Sequence, residues 1–231
     1  MKMIGMLGGM SWESTQTYYR AVNEGMKQAL GGLHSARVLL YSVDFAEIEA
    51  LQQQGDWDRL AEILTEAARC LEAGGADFLV ICTNTMHKVA PRVAQDVGIP
   101  ILHLADATAA TLKADGVTRV GLLGTRFTME ESFYRERLEA RGISVVVPGM
   151  TDRQRVHDVI YTELCRGVIK SSSREAYLDI INRLAGEGAE AVILGCTEIG
   201  LLVRQADTAT PLYDTTLIHA QQAVVWALNQ T

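Results

Sequence analysis

The sequence predicts an α/β fold made twice: two similar three-layer domains with mostly parallel sheets, related by a pseudo-twofold, with a site expected in the cleft between them. Three observations predict it. Short apolar runs alternate with amphipathic stretches along the 231 residues, as strands and crossover helices do. The run Gly75-Ala76-Asp77-Phe78-Leu79-Val80-Ile81-Cys82-Thr83-Asn84-Thr85 lies over Gly188-Ala189-Glu190-Ala191-Val192-Ile193-Leu194-Gly195-Cys196-Thr197-Glu198, 113 residues later, and sets Thr83 on Cys196. Upstream, Ile4-Gly5-Met6-Leu7-Gly8-Gly9 lies over Val120-Gly121-Leu122-Leu123-Gly124-Thr125 at a spacing of 116.

The elements follow in order. Residues 2–7 read as a first strand, 8–11 as a tight turn and 12–29 as a helix. A second strand over 36–42 precedes a helix over 57–73, which stops at Gly74-Gly75. A third strand over 77–81 leads to a helix over 85–96 and a short strand over 100–104. The second half opens near 106–114. It continues with a strand over 119–123, a turn over 124–128, a helix over 129–140 and a strand over 143–147. Helices over 151–167 and 173–186 lead into a strand over 191–194, then a strand over 211–213 and a helix over 216–229. The repeat accounts for neither 211–229 nor the join near 101. The terminal segment is therefore expected to return to the first domain, over residues 1–101 and 210–231, with the second over 102–209.

Composition bounds the function. A chain of this length that is 48% hydrophobic can bury a core in each half. A net charge of −7 with no long basic run argues against nucleic acid as a partner. No apolar stretch approaches the roughly 18 residues of a membrane span, and no signal peptide pattern opens the chain. The expectation is a cytoplasmic protein without a membrane partner. The four cysteines, Cys70, Cys82, Cys165 and Cys196, form no metal-ligand spacing and are expected as thiols. The five histidines form no HExxH motif, so no dedicated metal site is expected.

Cys196 is the strongest candidate for chemistry. It ends a buried strand, where open α/β sheets bind ligands, and a helix N-terminus there would lower its pKa. The plainer reading is a small apolar filler. Thr83, its counterpart, could equally cap a helix, as could Asn84 and Thr85. Such turns also offer hydroxyls and N–H groups to a carboxylate. The Gly8-Gly9-Met10 turn lacks a dinucleotide fingerprint and is expected to let backbone approach a small ligand. Strand alternation turns Cys82 to the opposite face from Thr83, as packing. Cys70 is expected in the core, and His219 as a packed residue. Arg166 and Lys170 flank Gly167 and either supply a cation for an acidic substrate or form a solvated face.

On these residues the chain resembles the aspartate/glutamate racemase family. The resemblance runs from residues 3–10 through Thr83-Asn84-Thr85-Met86-His87 and Leu194-Gly195-Cys196-Thr197-Glu198-Ile199 to Tyr213-Asp214-Thr215-Thr216 and His219. It implies two α/β domains with the active site between them, no cofactor, and a homodimer. It also implies a cysteine on each side of the substrate α-carbon, one removing a proton and the other returning one. This chain has Thr83 where the family has the first cysteine, which resembles a subgroup acting on the L-forms of aspartate and glutamate. By the same matching Met10, Gln52, Asn84, Thr85, Thr197 and Glu198 contact substrate, together with Thr125, which closes the second echo. Gln52 stands where many members have arginine, and Arg166 where some have lysine. The implied activity is cofactor-independent racemisation of aspartate or glutamate, with Cys196 removing the Cα proton and reprotonation near Thr83. A dicarboxylate decarboxylase or isomerase of the same architecture, and a non-catalytic amino-acid binder, stay open.

Overall fold

The computed structural model describes residues 1–229. The chain forms two compact units, residues 1–104 with the chain from His219 onward, and Ala105–Ile218. In the first, β1 (Ile4–Gly8), β2 (Val38–Ser42), β3 (Phe78–Ile81) and β4 (Ile101–Leu102) make a parallel sheet in the order β2-β1-β3-β4. In the second, β5 (Arg119–Gly124), β6 (Ser144–Val146), β7 (Ala191–Gly195) and β8 (Leu212–Asp214) repeat that order as β6-β5-β7-β8.

The strand register reproduces the sequence echo. Ile4 pairs with Phe78, and their counterparts Val120 and Ala191 pair with each other. Leu7 pairs with Ile81 as Leu123 pairs with Leu194. Gly75 and Gly188 enter β3 and β7 at φ 92° and 93°, a conformation cheap only for glycine.

The repeat extends further than the sequence suggested. β4 pairs with β3 through Leu79 and Ile101, and β8 pairs with β7 through the counterpart Val192 and Leu212. The helices after them, α5 (Leu104–Ala114) and α11 (Thr215–Leu228), therefore also correspond. Each crosses to the other unit: α5 leaves the first after Leu104, and α11 enters it at His219. Residues 210–218, expected with the first domain, thus lie in the second, where β8 completes the sheet.

Each sheet is covered by helices chosen by strand alternation. Phe78, Val80 and Cys82 join Ile4 and Met6 in a cluster with Tyr18, Val22 and Met26 of α1 (Trp12–Leu30) and Ala220, Ala223, Val224 and Ala227 of α11. Leu79 and Ile81 join Leu7 on the other face, against Leu60, Leu64, Ala68 and Leu71 of α3 (Trp57–Ala73). In the second unit Val192, Leu194 and Cys196 pack with Val156 and Ile160 of α8 (Met150–Thr162) and Tyr177, Ile181 and Leu184 of α9 (Ser171–Gly186).

Several expected elements differ. The helix over 85–96 is a 3₁₀ turn, Thr85–Lys88, followed by the one-turn α4 (Ala90–Val93), because Pro91 can start a helix but cannot continue one. The turn over 124–128 contains the start of α6 (Arg126–Glu130), capped by Thr125, whose Oγ1 accepts from Thr128 N at 3.3 Å. The chain then straightens at Glu131 before α7 (Ser132–Glu139). The helix over 151–167 stops at Thr162. A 3₁₀ turn, Leu164–Arg166, follows and ends at Gly167. Three helices went unpredicted: α2 (Phe45–Gln54), bounded by Asp44 and Gly55, α5, which spans the opening of the second half, and the four-residue α10 (Ile199–Leu202). Only Ile48 and Gln52 of α2 are buried, so its apolar period is faint. Cys70, expected in the core, is exposed on α3. No helix among the described residues is long and apolar enough to cross a membrane.

Candidate functional site

All the candidate residues but Gln52 and Arg166 follow the carboxyl ends of the central strands, where α/β sheets leave a crevice for ligands. In the first unit, Met10 follows β1 and Thr83, Asn84 and Thr85 follow β3, the neighbouring strand. Ser11 caps α1 by accepting from Ser14 N at 3.3 Å, and Ser14 Oγ donates to Cys82 O at 3.1 Å, tying the two strand ends together. Met10, Ile48 and Met86 share one buried cluster. Gln52 is buried on α2 and donates through Nε2 to Met86 Sδ at 3.1 Å. Asn84 and Thr85 are buried and Thr83 is half-buried. The 3₁₀ turn after β3 has no side-chain cap, so the capping role considered for these residues is absent there.

The Gly8-Gly9 turn is tightly packed against neighbouring chain. A Cβ on Gly8 would lie 2.5 Å from Thr15 Cγ2, and one on Gly9 would lie 2.3 Å from Val43 O. Gly9 N donates to Thr15 Oγ1 at 2.7 Å.

In the second unit, Thr125 follows β5 and Cys196, Thr197 and Glu198 follow β7, paired with β5 through Gly124 and Gly195. Cys196 is 8% exposed and Glu198 3%. Cys196 Sγ donates to Glu198 Oε2 at 2.9 Å, and Thr197 Oγ1 donates to the same oxygen at 2.7 Å. One buried carboxylate oxygen therefore receives a thiol and a hydroxyl.

This arrangement reverses the expected electrostatics. A helix dipole was expected to lower the Cys196 pKa. Instead burial pushes the thiol well above the ordinary cysteine range, and the adjacent Glu198 charge adds to the shift. The next helix, α10, has four residues and starts three positions later. Cys196 rests as a thiol, with its Sγ donating to Glu198 Oε2.

Arg166 is exposed on the 3₁₀ turn Leu164–Arg166. That turn packs into the Cys196 cluster through Leu164 and the partly buried Cys165. Cys82 is buried, its Sγ donating to Val80 O at 3.7 Å, and burial raises its pKa strongly. Among the described residues no group of three or more His, Cys, Asp or Glu is arranged to hold a metal ion.

The sequence reading overlooked a cluster of three histidines beneath Thr83. His87 stacks edge-on with His103 at 4.6 Å and with His219 at 5.7 Å, and all three are buried. His87 Nδ1 lies 2.8 Å from Thr83 O, and Tyr18 Oη lies 2.9 Å from His219 Nδ1. The available signal was the spacing of four from Thr83 to His87, which brings a side chain back to the carbonyl one turn earlier.

The model of the Asp/Glu/Hydantoin racemase family matches residues 7–223. The crystal structure of a putative Asp/Glu racemase from Yersinia pestis is 53% identical, with a TM-score of 0.92 over 99% of this chain and 100% of that one. An aspartate racemase homologue from Pyrococcus horikoshii OT3 is 34% identical, with a TM-score of 0.86 over 99% and 100%. A broad specificity amino-acid racemase, RacX of Bacillus subtilis strain 168, is 22% identical over 96% of both chains. With two α/β units of one topology and a family match over nearly the whole length, this chain belongs to the Asp/Glu/Hydantoin racemase family, an isomerase family by its racemase homologues.

Proposed function

We infer that the protein is a cofactor-independent amino-acid racemase acting on aspartate, glutamate or both, with Cys196 and Thr83 on opposite faces of the substrate α-carbon. The observation that carries this reading is the buried Cys196–Glu198 pair at the end of β7, on the repeat position that holds Thr83 at the end of β3. The names of the relatives support the substrate class.

Cys196 is a thiol at rest, so it transfers its proton to Glu198 Oε2 before acting as a base. The resulting thiolate takes the Cα proton and becomes a thiol again. Thr83 Oγ1 gives a proton to the opposite face and regains one from water or a neighbour, and Glu198 releases the proton it took to water. An alkyl hydroxyl is a far weaker acid than a thiol, whose reference pKa is about 8.5, so the Thr83 side is the slow one. Enantiomers have equal free energy in water, so kcat/KM is equal for L and D forms whatever this asymmetry. Met10, Gln52, Asn84, Thr85, Thr125 and Thr197 line the substrate, and Arg166 supplies a cation to an acidic side chain. The working form is a cytoplasmic homodimer. Trp12, Tyr19, Leu30, Leu33, Leu40 and Tyr41, all exposed on the first unit, support self-association.

Incubation with L-aspartate, L-glutamate and other amino acids in heavy water, followed by NMR, tests the reading. Deuterium at Cα with inversion is expected. The single-thiol pattern also fits a dicarboxylate decarboxylase or isomerase, which loss of a carboxylate or rearrangement would reveal. Binding without reaction would identify a sensor.

A further inference from the structure

Hydrogen bonds settle the proton positions of two histidines under Thr83. Leu104 N donates to His87 Nε2 at 3.2 Å. A backbone N–H can only donate, so Nε2 is bare and the proton sits on Nδ1, which donates to Thr83 O at 2.8 Å. His219 holds the other tautomer. Its Nε2 faces Leu102 O at 2.8 Å and must donate, which leaves Nδ1 to accept from Tyr18 Oη at 2.9 Å. Burial, and then the neighbouring His87, lower the His219 pKa to about 3, which agrees with a neutral ring. Each ring thus spends both nitrogens on fixed partners.

The anchored atoms fall at the crossings of the chain. Leu104 is the last residue of the first unit before the chain leaves it, and His219 is the first after its return. Leu102, two residues before Leu104, lies in β4. The turn carrying Thr83 is therefore bonded through His87 to the exit point, and the return point is bonded through His219 to the same strand.

We propose that His87 is a positioning residue for Thr83: its Nδ1–H orients the Thr83 carbonyl while its Nε2 registers that turn to Leu104, with His219 and Tyr18 fixing the strand alongside. This rests on the racemase reading, in which Thr83 returns the proton. Small misplacements of a reacting group cost up to ~10²-fold in rate, so a turn held at both chain crossings is a means of keeping Thr83 in reach of Cα.

Two amide substitutions separate the two bonds. His87→Asn places an amide N–H near Nδ1 and keeps the bond to Thr83 O. His87→Gln places an amide oxygen near Nε2 and keeps the bond from Leu104 N but loses the one to Thr83. In His87→Gln, inversion falls ~30-fold or more, KM stays within about threefold, and Cα exchange without inversion, the Cys196 half-reaction, is retained. In His87→Asn, inversion stays within about threefold of the parent. Unchanged inversion in His87→Gln overturns the proposal, as does equal loss of inversion and exchange in both variants. An unmodified protein that exchanges no amino acid fails the racemase reading instead. Where His87→Gln does not fold, ¹⁵N spectra of the unmodified protein decide. A proton on Nδ1 with a bare Nε2 at neutral pH is expected, and a proton on Nε2 overturns the assignment.

Discussion

Cys196 Sγ stands 2.9 Å from Glu198 Oε2 as a donor to a buried carboxylate that also accepts from Thr197. A cysteine that only fills space has no use for such a partner. Burying a carboxylate is costly unless it is well bonded, and here it is bonded to the group expected to do the chemistry.

The pair predicts the effect of Glu198→Gln. The amide keeps the shape but cannot take the thiol proton. Inversion is expected to fall ~10²-fold or more, with rate recovering as pH rises and deprotonates Cys196 directly. A steady-state pH profile of both proteins checks this. A variant as fast as the parent at neutral pH removes Glu198 from proton transfer.

Thr83→Cys replaces the weakest acid of the scheme with a thiol. If reprotonation on that side limits turnover, inversion rises about tenfold near pH 8, where a thiol of ordinary pKa is partly ionised. Polarimetry on either enantiomer measures it. A slower variant would place the limiting step elsewhere.

Arg166 is exposed, so its loss should not disturb the core. Arg166→Gln is expected to raise KM for aspartate and glutamate about tenfold and leave neutral amino acids unchanged, the worth of one charge-assisted bond. Equal KM values across both substrate classes would remove it from recognition.

His219 predicts acid sensitivity. Its ordinary value is 6.5, and burial with His87 beside it lowers the folded value to about 3. Between those limits the unfolded chain binds the extra proton. Stability is therefore full above 6.5 and falls as pH drops, by about 1.4 kcal/mol per unit. Urea unfolding of the parent and His219→Gln at several pH values checks this. The variant should show a shallower slope below pH 6.5, and parallel slopes would contradict the assignment.

Much of this was legible because repetition and alternation are properties of the chain. The echo at 113 and 116 residues is the pairing of β1 with β3 and of β5 with β7, and each echoed pair meets across a sheet. The correspondence of α5 with α11 was not legible, because β4 and β8 are only two and three residues long and too short to show a period. At the site, Cys196 and Thr83 were named from strand ends and the repeat, and their neighbours Asn84, Thr85, Thr197 and Glu198 from the family resemblance. The pKa direction of Cys196 was missed because it depends on burial and on the rotamer of Glu198. The histidine cluster was missed because His103 and His219 reach His87 only through the tertiary fold.

The most direct test of the central claim is Cα proton exchange in heavy water by the unmodified protein and by Cys196→Ala, followed by NMR with L- and D-glutamate and aspartate. Deuterium should enter Cα with inversion in the parent, with exchange and inversion falling ~10³-fold in the variant. Exchange at the parental rate in Cys196→Ala would show that another group removes the proton.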